Sequence, residues 1–347
     1  MIKVLVVDDS SFMRTALSNM LSSDPQIEVV GKARDGVEAI EKVHALKPDV
    51  VTMDIEMPRM GGLETLKLIM AINPMPVLVV SSLTTEGARV TLDALELGAV
   101  DFIPKNLSDL SLNILKIKEV LVEKIKHIAN SGRYRRRIRP SAAPKKVIPM
   151  PQIMTGERRT SITVIGTSTG GPKALQHIIP MLPGNFPVPI LIAQHMPPNF
   201  TGPFAERLNQ MSQLEVKEAE EGEPICPGVV LVAPGRGHMR VERKGALETV
   251  VTISERDKDF VYCPSVDALM LSVAEWFPGR ALGVVLTGMG NDGRRGAYEI
   301  KKTGGRIFAQ DEETCVVYGM PRAVVEAALA DKVLPLEGVA GEIINAV

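Results

Sequence analysis

The chain has 347 residues, more than one hydrophobic core ordinarily serves, so two domains are expected. A formal net charge of −1 speaks against a general nucleic-acid binder, and 4% aromatic residues leave few rings for base stacking. With 45% hydrophobic and 23% charged residues the composition is that of an ordinary globular protein, which excludes a disordered or fibrous chain. Met1 runs directly into Lys3-Val4-Leu5-Val6-Val7-Asp8-Asp9, too short and too acidic for a secretion signal. No apolar run approaches membrane-spanning length, so a cytoplasmic protein without membrane insertion is expected. Cys226, Cys263 and Cys315 stand singly, which predicts neither a disulfide framework nor a zinc site.

From Ile2 to about Lys118 strand-like and helix-like segments alternate in five units, the pattern of a parallel sheet covered on both faces. The strands are predicted at Val4 to Val7, Glu28 to Gly31, Val50 to Met53, Val77 to Val80 and Val100 to Ile103. Asp8 and Asp9 follow the first strand and Asp54 the third, and in such a sheet those ends share one ligand-binding edge. Gathered carboxylates repel one another, and hard oxygen ligands suit Mg²⁺. Ser81 after the fourth strand and Lys105 after the fifth add a hydroxyl and a cation, which makes the edge a candidate phosphoryl site. Any one of these aspartates alone would be an ordinary helix cap.

Together these residues resemble the receiver domain of bacterial response regulators. The resemblance implies that Asp54 accepts the phosphoryl group, that Asp8, Asp9 and Asp54 hold Mg²⁺, that Ser81 and Phe102 form the switch and that Lys105 contacts the phosphoryl oxygens. Pro104-Lys105-Asn106 departs from the family's Lys-Pro order. Phosphorylation adds charge and acceptor oxygens, so Ser81 and its loop are expected to move toward Asp54.

After a helix ending near Ile128, residues 130 to 159 are rich in Pro, Ser, Ala, Arg and Lys and read as a linker. Arg133, Arg135, Arg136, Arg137 and Arg139 form a basic cluster there, which reads as a solvated tether.

A second alternating pattern begins at Ser161, with strands predicted at Thr163 to Gly166, Ile190 to Ala193, Ala281 to Leu286 and Arg306 to Ala309. Between Glu215 and Ser254, short runs at Val229 to Ala233, Met239 to Arg243 and Thr249 to Ile253 alternate with turn signals and predict a β-rich insertion. In Gly166-Thr167-Ser168-Thr169-Gly170-Gly171-Pro172 a strand breaks into glycines and meets proline at a helix start. The spacing is that of a nucleophile elbow, which would present Ser168 at the sheet edge beside the unpaired N–H groups of a helix. A glycine-rich turn that binds phosphate or only packs closely has the same appearance.

A serine nucleophile needs a base and an orienting carboxylate. Of five histidines, His44 and His127 lie in the first domain and its trailing helix, and His177 lies deep in the helix after Ser168. His238 is a candidate substrate contact, whereas His195 ends an apolar strand and shares the predicted edge with Ser168. Asp292, in the glycine-rich loop after Ala281 to Leu286, fits best as the carboxylate. Asp311 is the runner-up, and Asp257, Asp259 and Asp267 fall in loop or helix contexts.

Gly166-Thr167-Ser168-Thr169-Gly170-Gly171, Gln194-His195-Met196-Pro197-Pro198 and Leu286-Thr287-Gly288-Met289-Gly290-Asn291-Asp292-Gly293 are similar to the CheB family of chemotaxis protein-glutamate methylesterases. So are Pro264-Ser265-Val266-Asp267 and Cys315-Val316-Val317-Tyr318-Gly319-Met320-Pro321, and the resemblance covers both domains in order. It implies an α/β fold: a flavodoxin-like (βα)₅ receiver domain at 1–120, a helix end and flexible basic linker at 121–158, and a catalytic domain at 159–347. The last would be a doubly wound, mostly parallel sheet with an antiparallel, β-rich insertion. Ser168 is then nucleophile, His195 general base, Asp292 its partner, the Met289 N–H an oxyanion donor and Thr169 a further active-site residue. The implied substrates are glutamate methyl esters, and glutamines, on methyl-accepting chemotaxis receptors. The implied phosphodonor is the chemotaxis histidine kinase CheA, with Mg²⁺ at the receiver site and no cofactor for ester hydrolysis. Phosphorylation is expected to relieve a receiver that covers the catalytic edge. A non-enzymatic response regulator and a small-molecule esterase are the competing readings.

Overall fold

An apolar run buried on both faces of a sheet loses all contact with water, and Val4, Leu5, Val6 and Val7 have no exposed surface. Each such aliphatic side chain contributes about 1.5–3 kcal/mol. A computed structural model describes residues 1–105, 110–130, 160–245 and 248–347. Asn106, the linker beyond residue 130 and its arginine cluster lie outside the described residues. The chain divides into two compact units, Met1–Pro144 and Lys145–Val347. Among the described residues no helix is long and apolar enough to cross a membrane.

The first unit alternates β1 (Ile2–Val7), α1 (Ser11–Ser22), β2 (Ile27–Ala33), α2 (Gly36–Leu46), β3 (Val50–Asp54), α3 (Gly62–Ile72), β4 (Val77–Ser81), α4 (Thr85–Glu96), β5 (Asp101–Pro104) and α5 (Leu110–Asn130). Its sheet runs β2-β1-β3-β4-β5 with every pair parallel. Chain order reverses between β1 and β3, where a parallel sheet opens a ligand crevice, and these two strands lead into Asp8 and Asp54. Side-chain caps start three of the helices: Ser10, Asp35 and Thr84 accept the N–H groups of Met13, Glu38 and Gly87.

The second unit contains β6 (Ile162–Thr167), α6 (Gly171–Ile178), β7 (Ile190–Gln194), α7 (Pro198–Met211), β8 (Glu215–Glu218), β9 (Val229–Val232), β10 (His238–Lys244) and β11 (Glu248–Ser254). It continues with α8 (Val266–Trp276), β12 (Ala281–Val285), α9 (Arg294–Lys302), β13 (Arg306–Gln310), α10 (Met320–Glu326), β14 (Lys332–Leu334) and α11 (Leu336–Asn345). The large sheet runs β14-β13-β12-β6-β7-β9-β8, all parallel, and β10 and β11 form a separate antiparallel hairpin. The antiparallel insertion is therefore narrower than expected. The Val229 run is buried along three of its four residues and joins the main sheet beside β7. β14 went unpredicted because it is a three-residue edge strand with little burial and no alternating pattern.

The three strands that matter most are neighbours: β6 lies between β7 and β12. Val164 on β6, Leu191 on β7 and Val285 on β12 share one core with Val266 and Leu269 of α8. Gly166 permits that packing, because a Cβ there would stand 2.2 Å from Cγ1 of Val266.

Candidate functional site

β6, β7 and β12 pair in register, Gly166 opposite both Ala193 and Val285 and Thr167 opposite Gln194. Ser168 and His195 are thus the next residues beyond a paired step, and the His195 N–H donates to the Thr167 carbonyl at 3.1 Å. The Ser168 turn is held through its backbone: its N–H donates to Thr287 O at 3.0 Å, and its carbonyl accepts from Gly171 N at 2.8 Å and Gln194 Nε2 at 3.1 Å. Ser168 itself has ordinary negative φ, unlike the strained serine an elbow suggests. Gly170 absorbs the turn instead, with φ +79° and a Cβ position 2.6 Å from Val316.

Thr287 locks this turn to its neighbours. Its hydroxyl donates to Thr169 O at 2.9 Å and accepts the N–H groups of Val316 and Val317, and its own N–H donates to Gln310 Oε1. Thr169 is buried at the end of this link. Among the described residues no acceptor pairs with the Met289 N–H, two residues beyond Thr287.

His195 Nε2 lies 2.7 Å from Asp292 Oδ2. The other ring nitrogen, Nδ1, is buried and has no hydrogen-bond partner. Asp292 also accepts from Val266 N at 2.8 Å, from Ser265 Oγ and Asp267 N at 2.9 Å, and from Gly293 N at 3.1 Å. Burial would raise this carboxyl, but the His195 hydrogen bond and charge, with the N–H groups of Asp267 and Val266, outweigh it and hold it at about 2. Asp311 is elsewhere, accepting the N–H and hydroxyl of Thr314 in a turn after β13. His238 is buried at the start of β10, where its Nε2 accepts from Asp257 N. Burial lowers its pKa and favours the neutral ring.

Asp267, set aside from sequence, stands beside Asp292. It lies on α8, and its Oδ1 accepts Gly293 N at 3.0 Å and Gly296 N at 2.7 Å, capping α9 from outside that helix. Burial, followed by the Asp292 charge, pushes its carboxyl up to about 6. A folded value above the unfolded one means that the native state holds the proton more tightly, so stability falls as pH rises from about 4 to 6. Asp267→Asn keeps the cap oxygen without the charge and is expected to stabilise the unit above pH 6, with little effect near pH 4. After discounting for partial exposure the gain is about 1 kcal/mol, roughly 2–4 °C in Tm, read by thermal melts at the two pH values.

In the first unit, Lys105 Nζ lies 2.7 Å from Asp54 Oδ2 and 3.2 Å from Asp8 Oδ2. Asp8 and Asp54 are buried, whereas Asp9 is exposed. Burial raises Asp54 to about 6 although the Lys105 hydrogen bond and charge oppose it. Burial raises Asp8 as well. One oxygen from each of Asp8, Asp9 and Asp54 falls within 4.8 Å of the others, and Asp8 Oδ2, ion-paired with Lys105, accepts no aligned hydrogen bond. Three hard carboxylate donors with an unsatisfied buried oxygen fit Mg²⁺.

A cavity of about 30 Å³ opens beside Asp54, lined by Ser81, Gly87 and Lys105 among others. The Thr91 hydroxyl on α4 lies 2.5 Å from Ser81 Oγ and 2.6 Å from Gly87 O, and Ser81 Oγ has Ser82 O at 3.2 Å and Gly87 O at 3.3 Å as acceptors. Phe102 is buried on β5.

Residues 163–343 match the family described as CheB methylesterase, and residues 4–114 match the response regulator receiver domain. The chain is 50% identical over 372 residues to protein-glutamate methylesterase/protein-glutamine glutaminase 2 of Nitratidesulfovibrio vulgaris, with 99% of each chain covered. It is 49% identical over 351 residues to protein-glutamate methylesterase/protein-glutamine glutaminase 1 of Geobacter sulfurreducens, covering 99% of this chain and 96% of that one. The crystal structure of the Thermotoga maritima CheB methylesterase catalytic domain is similar at 45% identity and TM-score 0.53, covering 54% of this chain and 99% of that one.

Proposed function

The chain belongs to the CheB methylesterase family, and from that premise we propose that it hydrolyses glutamate methyl esters on chemotaxis receptors under control of its receiver unit. The observation that carries the reading is the His195 imidazole, with Nε2 on Asp292 and Nδ1 buried and unpartnered at the strand edge it shares with Ser168. An anionic Asp292 keeps the ring proton on Nε2, which leaves the Nδ1 lone pair to act as base. The Ser168 hydroxyl turns to Nδ1 when substrate enters, since such hydrogen bonds often tighten only in the complex.

Ser168 Oγ attacks the ester carbonyl carbon as its proton passes to His195 Nδ1. The tetrahedral oxyanion accepts the Met289 N–H, which no protein acceptor engages among the described residues. The C–O bond to the methoxy group breaks, His195 returns the proton to it, and methanol leaves. Water attacks the acyl-serine by the same route and restores Ser168 and a free glutamate. With an amide substrate ammonia leaves instead, which makes glutamine deamidation the same reaction.

In the receiver unit Asp54 takes a phosphoryl group from the chemotaxis histidine kinase CheA. Asp8, Asp9 and Asp54 would hold Mg²⁺, which supplies charge neutralisation for the phosphoryl oxygens. Lys105 gives a second positive charge at the same place. If Ser81 swings toward the new acceptor it moves off the Thr91 hydroxyl, which donates to it at 2.5 Å and has Gly87 O at 2.6 Å as an alternative acceptor, so loss of the Thr91 bond is a cost of switching. Thr91→Val removes one neutral hydrogen bond from the resting state, worth about 1 kcal/mol. The variant is expected to bind a phosphoryl mimic such as beryllofluoride about fivefold more tightly in Mg²⁺, read by calorimetry.

The test of the whole reading is methanol release from methylated receptor with Mg²⁺, before and after a small phosphodonor, with Ser168→Ala and Asp54→Asn as controls. Release that needs Ser168, and that rises with donor only when Asp54 is present, is the expected result. Release independent of Ser168 overturns the esterase mechanism, and no release at all favours a protein-binding output.

A further inference from the structure

Tyr262, which no motif singled out, lies flat on the His195 imidazole, with ring centroids 4.2 Å apart and planes 13° from parallel. Its other end covers the loop that carries Met289. Gly290 has φ +83°, and a Cβ there would stand 2.8 Å from the Tyr262 hydroxyl oxygen. One ring therefore spans the base and the loop proposed to hold the oxyanion. The segment is braced from below, where Cys263 Sγ contacts Gly235 O at 3.7 Å. Gly235 in turn lies so close to Met196 and Pro197, just after His195, that a Cβ would meet Met196 O at 2.6 Å. Val261, the preceding residue, is 81% exposed, so the stacked ring sits at the boundary between the site and solvent.

We propose that Tyr262 is a positioning residue for the ester hydrolysis: its π face holds the His195 ring in the plane that joins Asp292 to Ser168 and stabilises the imidazolium formed during attack. This deepens the proposed function and rests on it. Asp292 fixes one edge of the imidazole but leaves rotation about the ring-to-carboxylate line unopposed, and a stacked ring opposes that rotation. A cation over an aromatic face is attracted by the ring's quadrupole, and that attraction arises only when His195 is protonated.

Among the described residues the imidazole is paired with Asp292; Asp267 shares the Gly293 N–H with that carboxylate, and His238 feels the charges of Arg240, Asp257, Asp292 and Arg256. Arg256 also acts on Cys263. All are kept in the variants below, and the Tyr262→Phe variant separates loss of the hydroxyl from loss of the aromatic face.

The test compares Tyr262→Phe, which keeps the face, with Tyr262→Leu, which keeps apolar cover without it, in the full-length protein. Methanol release is measured across pH, and the His195 ring is titrated by NMR without substrate. Tyr262→Phe is expected within about threefold of the parent. Tyr262→Leu should lose about tenfold in kcat with KM little changed, and its acid limb and NMR midpoint should both move to lower pH. Equal loss in both variants, or a loss in Tyr262→Leu with neither pH readout moved, overturns the proposal. Parent-like kcat in Tyr262→Leu overturns it too, while Ser168 dependence in the same assay leaves the esterase reading standing. Failure of Ser168 dependence in the parent marks the failure of that reading instead, and the NMR titration still judges the stacking.

Discussion

Ser168→Ala is expected to cut methanol release from methylated receptor by about 10⁴ to 10⁶, leaving the melting temperature and receptor binding near the parent values. Thermal insensitivity follows from how the turn is held. Thr287, Gly171 and Gln194 all bond to the backbone of Ser168, and alanine keeps that backbone. What disappears is the oxygen that forms the acyl bond. A residual rate survives because His195 and the loop at Met289 could still direct a water at the ester, as a partly dismantled hydrolase site does. Loss of only tenfold would mean that water, not Ser168, attacks in the parent. The Ser168 position would then be the close-packed glycine-rich turn that the sequence equally describes.

The order of elements and the edge that carries the chemistry were readable because parallel strands announce themselves as apolar runs, and because their carboxyl ends share one side. Residue order put Ser168, His195 and Asp292 at one predicted edge and kept Asp311 as the runner-up, and in the fold His195 Nε2 lies 2.7 Å from Asp292 Oδ2. It could not reach Tyr262, Asp267 or Thr91. Each acts across a tertiary contact whose partner is distant in sequence, and a tyrosine in a polar loop or a threonine within a helix carries no local mark of what it touches. The His195 tautomer was equally out of reach, since it depends on which ring nitrogen faces Asp292. β9 was read with the insertion for a different reason: a four-residue strand announces burial but not the direction of the strand it joins, and β8, exposed at two of its four residues, offered no apolar run to read.

Asp292→Asn is expected to lower turnover by about 10⁴, the loss seen when a triad carboxylate becomes an amide. Five donors converge on Asp292, two on Oδ2 and three on Oδ1. Asparagine has one acceptor oxygen, and its NH₂ must face one of the two sets. With the oxygen toward Ser265, Asp267 and Gly293, the NH₂ meets the Val266 N–H and His195 Nε2. His195 then has to accept at Nε2, which moves the ring proton to Nδ1, the atom that must take the Ser168 proton. The base is lost through its tautomer while the ring stays in place. With the amide reversed, the NH₂ faces three donors and the carboxylate's buried hydrogen bonds fail, which costs about 1–3 kcal/mol for each group left unpaired. The first orientation is therefore expected. NMR of His195 should show the proton on Nε2 in the parent and on Nδ1 in the variant, alongside the fall in kcat. Asp311→Asn should change neither, because among the described residues the Asp311 carboxylate accepts the N–H and hydroxyl of Thr314 and makes no hydrogen bond to His195. A variant within tenfold of the parent, with its ring proton still on Nε2, would remove Asp292 from the mechanism and leave His195 to be oriented by Tyr262 alone.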